Sequence, residues 1–177
     1  MATISQDGLV AERVKEPDQP AAPSREDATA AFHHKPGQSL GYLIRDCYRI
    51  FARRLEALIS PHGVKMGQWY FLRELWERNG LTQRELSNRV GMMEPTTVVA
   101  IRGMVKGGLV RRVRDAEDRR KVRIFLTAKG ADLKAQLLPC AREVNEIATQ
   151  DLSADEVRQF RNLLNRIKAN LTRPEGS

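Results

Sequence analysis

Residues 109–127 read Leu-Val-Arg-Arg-Val-Arg-Asp-Ala-Glu-Asp-Arg-Arg-Lys-Val-Arg-Ile-Phe-Leu-Thr. Leu109 to Val113 and Val122 to Leu126 are short runs of branched and aromatic residues, which predict two strands. Arg114 to Lys121 predicts the loop that joins them into a hairpin. Residues 111–123 carry seven cations (Arg111, Arg112, Arg114, Arg119, Arg120, Lys121 and Arg123) against Asp115, Glu117 and Asp118, a net +4. Basic residues gathered on one small element suit a polyanion, and the plain alternative is a solvated surface hairpin.

The residues before the hairpin favour the first reading. Thr82-Gln-Arg-Glu85 is a capping box, in which the Thr hydroxyl accepts from the amide three residues on and the Glu reaches back. A short helix to Val90 follows, then Gly91 and a second helix from Pro95 to about Lys106, ended by Gly107-Gly108. Two short helices across a Gly-containing turn form a helix-turn-helix pattern. A basic hairpin directly after it is a wing. The second helix can then enter a major groove of double-stranded DNA while the hairpin tip reaches a neighbouring minor groove or the backbone.

Working outward, Ser39 to Ile59 has apolar residues at steps of three and four, one helical face, stopped by Ser60-Pro61-His62-Gly63. A helix from Lys65 to Arg78 carries Trp69, Leu72, Leu75 and Trp76 as its apolar stripe. Thr127 caps a long helix to Thr149, in which Pro139 predicts a kink. Ser153-Ala-Asp-Glu156 is a second capping box, opening a last helix to about Asn170. The first and last two helices offer more apolar surface than the small winged module can cover, which an intertwined homodimer would satisfy. The expected fold is mainly α with a small β-hairpin wing. The expected organisation is a tail at 1–37, an N-terminal dimerisation helix at 38–62, the winged helix-turn-helix at 63–127, C-terminal dimerisation helices at 128–172 and a tail at 173–177.

Composition bounds the rest. The chain has 177 residues and a formal net charge of +8. Residues 1–37 hold half of all the prolines and are net −2, so residues 38–177 carry +10. That composition reads as a flexible tail. His33-His34 lie in it without Cys, Asp or Glu at ligand spacing, so no metal site and no cofactor is expected. No apolar run approaches the ~18 residues of a membrane span, and no apolar signal segment opens the chain, so a cytoplasmic protein is expected. No phosphate loop or Ser/His/Asp arrangement occurs, so an enzyme is not expected.

Between Ser39 and Gly130 the chain resembles the MarR family of bacterial winged helix-turn-helix regulators. The resembling residues are Gly67-Gln68-Trp69, Leu81-Thr82-Gln83 with Leu86, Pro95-Thr96, Gly108-Leu109-Val110 with Arg112, Asp115-xx-Asp118-Arg119-Arg120, and Leu126-Thr127-xx-Gly130. The resemblance implies a homodimer on a pseudo-palindromic operator, with the helix from Pro95 to Lys106 in the major groove. It implies that Arg120 enters the minor groove and that Asp118 pairs within the wing and orients it. A narrow minor groove concentrates negative potential, which a planar guanidinium suits. The other expected DNA contacts are Arg114, Arg119 and Lys121 in the wing, Thr96, Thr97, Val98, Val99 and Arg102 on the recognition helix, and Thr82 and Gln83 before it. Val98 and Val99 stand where the family usually has a polar or basic residue, and Gly103 where it has a cation. The two valines either read thymine methyls or, with the helix phase one residue off, pack inward.

The family also implies a switch, in which a small aromatic acid releases a repressor from DNA. Arg45 and Arg49 lie one turn apart beside Tyr42 and Tyr48, a setting for a planar carboxylate, with His62, Met66 and Trp69 completing a wall. A coenzyme A thioester of an aromatic acid is a larger candidate of the same kind. Tyr48 and Trp69 are also natural core residues. Two alternatives remain at this point: an architectural, non-specific DNA-binding protein, and a redox-sensing regulator. For the latter, Cys47 is expected on the buried apolar face of the first helix, where a thiol is inert.

Overall fold

The computed structural model describes residues 39–173. The expected tail at 1–37, with His33 and His34, lies outside them. The chain divides into two units, Met1–Arg45 and Asp46–Ser177, and the boundary falls inside the first helix, α1 (Leu40–Ile59). In the first unit, the opening turn of α1 is held by the Leu43 amide donating to the Ser39 carbonyl at 3.0 Å. Its apolar residues Leu40, Tyr42, Leu43 and Ile44 are exposed.

The second unit continues α1 to Ile59 and a 3-10 turn at Ser60–His62, closed by Gly63 in the left-handed region. Then follow α2 (Met66–Glu77), β1 (Leu81–Thr82), α3 (Gln83–Val90), α4 (Glu94–Lys106), β2 (Val110–Arg114), β3 (Val122–Leu126), α5 (Ala128–Ala148) and α6 (Ala154–Leu171). The capping boxes at Thr82 and Ser153 form as expected, each hydroxyl accepting from the amide three residues on. Gly91 ends α3 with positive φ, which spares the steric cost a side chain would meet there. Pro139 lies inside α5, which remains one element.

The hairpin is part of a three-stranded antiparallel sheet in the order β1-β3-β2. Val110 pairs with Leu126 and Arg114 with Val122 across the hairpin, while Leu81 pairs with Ile124 on the other edge of β3. The Asn79 side-chain oxygen joins turn to sheet, accepting from the amides of Leu126 (2.9 Å) and Gly80 (3.1 Å).

The core gathers Phe71, Leu72 and Leu75 of α2, Leu86 of α3, Ile101 and Met104 of α4, Ile124 of β3 and Leu137 of α5. The Leu-Thr-xx-Gly run closes it over the base of the wing. Thr127 caps α5, donates its hydroxyl to the Gly108 carbonyl at 2.6 Å and its amide to the Leu109 carbonyl at 3.0 Å. Gly130 packs so closely that a Cβ there would stand 2.0 Å from the Leu109 carbonyl oxygen. Its own carbonyl accepts from the Trp76 indole at 2.9 Å. By contrast α6 buries no residue, and Phe160, Leu163 and Leu171 on it are exposed.

Candidate nucleic-acid interface

The wing is shaped by two carboxylates with different tasks. Asp115, almost fully buried, accepts on Oδ1 from the amides of Glu117 (2.9 Å) and Asp118 (3.1 Å) and closes the loop. Its Oδ2 receives the Arg123 Nε across the hairpin. Arg123 in turn donates Nη1 to the Gly80 carbonyl at 3.0 Å, so one guanidinium ties the loop to the strand and to the turn before β1. The Arg123 guanidinium and those two amides hold the Asp115 carboxyl down to about 2, and the same pairing raises Arg123. Charge-assisted bonds of this kind fix the loop more firmly than neutral ones would.

Asp118 works at the tip. Its Oδ1 accepts from the Arg120 amide and Nε, both at 3.1 Å, and Lys121 Nζ lies 3.6 Å from Oδ2. These contacts, the Arg120 guanidinium first, pull the Asp118 carboxyl below its ordinary range. Arg120 is nevertheless 93% exposed along its side chain, so the carboxylate sets its direction while its face stays open. Arg114, Arg119 and Lys121 are exposed around it. Arg111 lies over the Phe125 ring at 5.3 Å, which stiffens the wing near its base.

On α4, Thr96, Val99 and Arg102 are exposed and Val98 is half-buried. Thr97 does not belong to the outward face. It is fully buried with its hydroxyl unpartnered, on the inward stripe it forms with Ile101 and Met104 at steps of four and three. Thr82 is half-buried, and its hydroxyl is engaged with Glu85 in the cap, accepting from the amide at 3.2 Å and donating to Oε2 at 2.8 Å. Gln83 is half-buried in the first turn of α3. Sequence reasoning does not single out Asp115, Arg123 and Asn79 as organisers of the wing. The available signal is the first acid of the loop, eight residues before an arginine in the facing strand.

The expected effector residues separate. In the second unit Tyr48 and Met66 line a cavity of about 170 Å³ with Phe51, Tyr70, Val144 and Asn145. The Tyr70 hydroxyl donates to that of Tyr48 at 3.3 Å, and burial together with this bond pushes the Tyr70 phenol up. Trp69 is not on the cavity wall. It is buried in the core, edge-on to Trp76 with ring centroids 5.7 Å apart, because the α2 stripe faces inward. His62 is also outside it, with Nδ1 3.0 Å from Gln136 Oε1. Arg49 pairs with Asp46 at 2.7 Å, three residues away on its own helix. Within the first unit, the Arg45 guanidinium sits over the Tyr42 ring at 4.7 Å. Cys47 is exposed rather than buried, because the described residues leave uncovered the part of the α1 apolar face on which it lies, while Leu55 and Ile59 further along are buried.

A helix-turn-helix followed by a basic, internally braced hairpin defines a winged helix-turn-helix protein. The MarR family model matches residues 64–122. A MarR transcriptional regulator from Methanosarcina mazei Go1 superposes with a TM-score of 0.70 at 34% identity, over 74% of this chain and 94% of that one. A mutant MarR from E. coli, solved in complex with operator DNA, superposes with a TM-score of 0.69 at 26% identity, over 72% of this chain and 92% of that one. The HTH-type transcriptional regulator TtmR of Methylorubrum extorquens is 36% identical over 87 residues, 49% of this chain and 45% of that protein. The chain thus spans about half the length of that relative. It belongs to the MarR family of transcriptional regulators. Among the described residues, no helix is long and apolar enough to cross a membrane.

Proposed function

We propose that this chain is a cytoplasmic transcriptional repressor, not an enzyme, that binds a pseudo-palindromic operator as a homodimer and leaves it when a small aromatic effector binds. The observation that carries the reading is Arg120, held by Asp118 at the tip of a hairpin yet 93% exposed. A minor groove rewards such a free guanidinium with its concentrated negative potential. Arg114, Arg119 and Lys121 add backbone contacts, and Thr96, Val99 and Arg102 face the major groove. The operator complex of the E. coli MarR mutant supports this docking. The uncovered apolar residues of α6 support pairing with a second copy.

The effector reading rests on the cavity under Tyr48 and Tyr70, which has room for a single aromatic ring. An aromatic acid, alone or as the acyl group of a coenzyme A thioester, is the candidate, with Arg49 as the cation for its charge. Such a molecule acts as a switch only by binding the DNA-free arrangement more tightly. A thousandfold loss of occupancy needs about 4 kcal/mol of differential affinity. The test is selection from a pool of random-sequence duplexes, followed by titration of the winning duplex against salt. A repressor enriches an inverted repeat that outlasts random DNA as salt rises. An architectural protein enriches nothing and shows one steep salt slope on every duplex.

A further inference from the structure

The outward face of α4 carries an unusual reading surface. The buried stripe of Thr97, Ile101 and Met104 fixes the inward direction of the helix. At 3.6 residues per turn, the opposite side carries Pro95, Thr96, Val99, Arg102, Gly103 and Lys106, all of them exposed. In a helix-turn-helix the N-terminal residues of this helix meet the base edges. Along the outward side of its first two turns, Thr96 alone bears a hydrogen-bonding group; Glu94 is exposed too, but it stands on the half of the wheel that holds Ile101. Val99 stands at the centre of that side and is 67% exposed.

Gly103 follows one turn later without a side chain, and a Cβ there would still lie 3.5 Å from the Gln68 amide nitrogen. The concavity alongside, between the start of α2 and α4, has a floor of Gly63, Gly67, Ala100, Gly103 and Gly107, with the polar side chains of Lys65, Gln68, Thr96 and Lys106 around it. A valine offers no donor or acceptor to a base edge. It gains from an apolar partner and leaves the polar edges of cytosine, guanine or adenine unpaired. Thymine alone presents a methyl group in the major groove.

We infer that Val99 selects thymine at one position of each operator half-site by packing against its 5-methyl group. This rests on the proposed docking of α4 in the major groove. Specificity on this helix then comes from apolar contact at Val99, with Thr96 and Arg102 on either side of it.

The probe is the duplex enriched by the full chain from a random pool, resynthesised with deoxyuridine replacing each thymidine in turn, which deletes one methyl group and little else. One thymidine per half-site should stand out, with affinity falling about fourfold for one half-site and about fifteenfold for both, the worth of one and two buried methyl groups. The Val99→Ala protein should bind the thymidine duplex more weakly and lose its preference for thymidine over deoxyuridine at that position alone. Since Val99 is exposed, the variant should keep its thermal midpoint, so a binding loss is not a folding loss. An enriched operator indifferent to deoxyuridine at every position, or a preference that survives intact in Val99→Ala, overturns the inference and leaves operator binding standing. A pool that yields no enriched sequence overturns both.

Discussion

Gly130→Ala measures how tightly the wing is seated on the long helix. The new Cβ would lie 2.0 Å from the Leu109 carbonyl oxygen, 3.0 Å from its carbon and 3.2 Å from Leu126 Cδ2. An ordinary Cβ contact needs at least 3.4 Å, so the N-terminus of α5 and the start of β2 must separate by more than an ångström. The nearest atom is backbone, and no side-chain rotation relieves it. The displacement also strains the bonds from the Thr127 amide (3.0 Å) and hydroxyl (2.6 Å) into the Gly108–Leu109 carbonyls. Overpacking of this kind costs about 1–3 kcal/mol, and two weakened hydrogen bonds add about 1 kcal/mol each. The better helix propensity of alanine returns up to ~1 kcal/mol. The net loss is about 2–4 kcal/mol, which for a chain of this length lowers the thermal midpoint by about 4–16 °C. Gly103→Ala is the internal control: its Cβ meets nothing closer than 3.5 Å, so the same substitution should be neutral or stabilising by up to ~1 kcal/mol. Scanning calorimetry on the three proteins reads both signs. A Gly130→Ala midpoint equal to that of the wild type would refute this account of why the Leu-Thr-xx-Gly run ends in glycine.

Other outcomes follow from the same contacts. Asp115 has a carboxyl pKa depressed from 3.8 to about 2 in the folded chain. Its contribution to stability is therefore full above the unfolded value and is lost as pH falls from about 4 through about 2. The midpoint gap between wild type and Asp115→Asn should close across that window, and a gap that widens on acidification would contradict the assigned pairing. Phe160, 57% exposed on a helix with no buried residue, should carry pairing and not the fold of the single chain. Phe160→Glu should therefore halve the mass found by light scattering, and an unchanged mass would count against α6 as the dimer face. Arg49→Ala should leave operator affinity near the wild-type value and blunt release by an aromatic acid. A titration indistinguishable from wild type would remove Arg49 from the effector site.

Helices and hairpin are legible in the sequence because period, caps and breakers agree at each end, as at Thr82–Glu85, Pro95 and Thr127. β1 is not legible. Two residues carry no period, and Leu81 and Thr82 become a strand only because β3 lies beside them. The phase of α4 is ambiguous because Val98, Val99, Ala100 and Ile101 are consecutive apolar residues, and only tertiary burial of Thr97 and Ile101 decides which side faces the core. The two wing acids look alike along the chain. Their division of labour arises across the hairpin, where the β2–β3 pairing brings Arg123 to Asp115 and leaves Asp118 to Arg120. Cys47 escapes sequence reasoning for a related reason: an apolar face on α1 implies burial, although the described residues cover it at Leu55 and Ile59 and not at Cys47.

Operator binding by Arg120→Ala tests the central claim most directly. Its side chain is almost wholly exposed, so the variant should keep the wild-type midpoint and oligomeric state. Fluorescence anisotropy on the selected duplex, titrated at several salt concentrations, should show affinity reduced at least about tenfold, since a homodimer loses two groove contacts, with a shallower dependence on salt. Equal affinity and an equal salt slope would contradict the wing as a DNA-reading element.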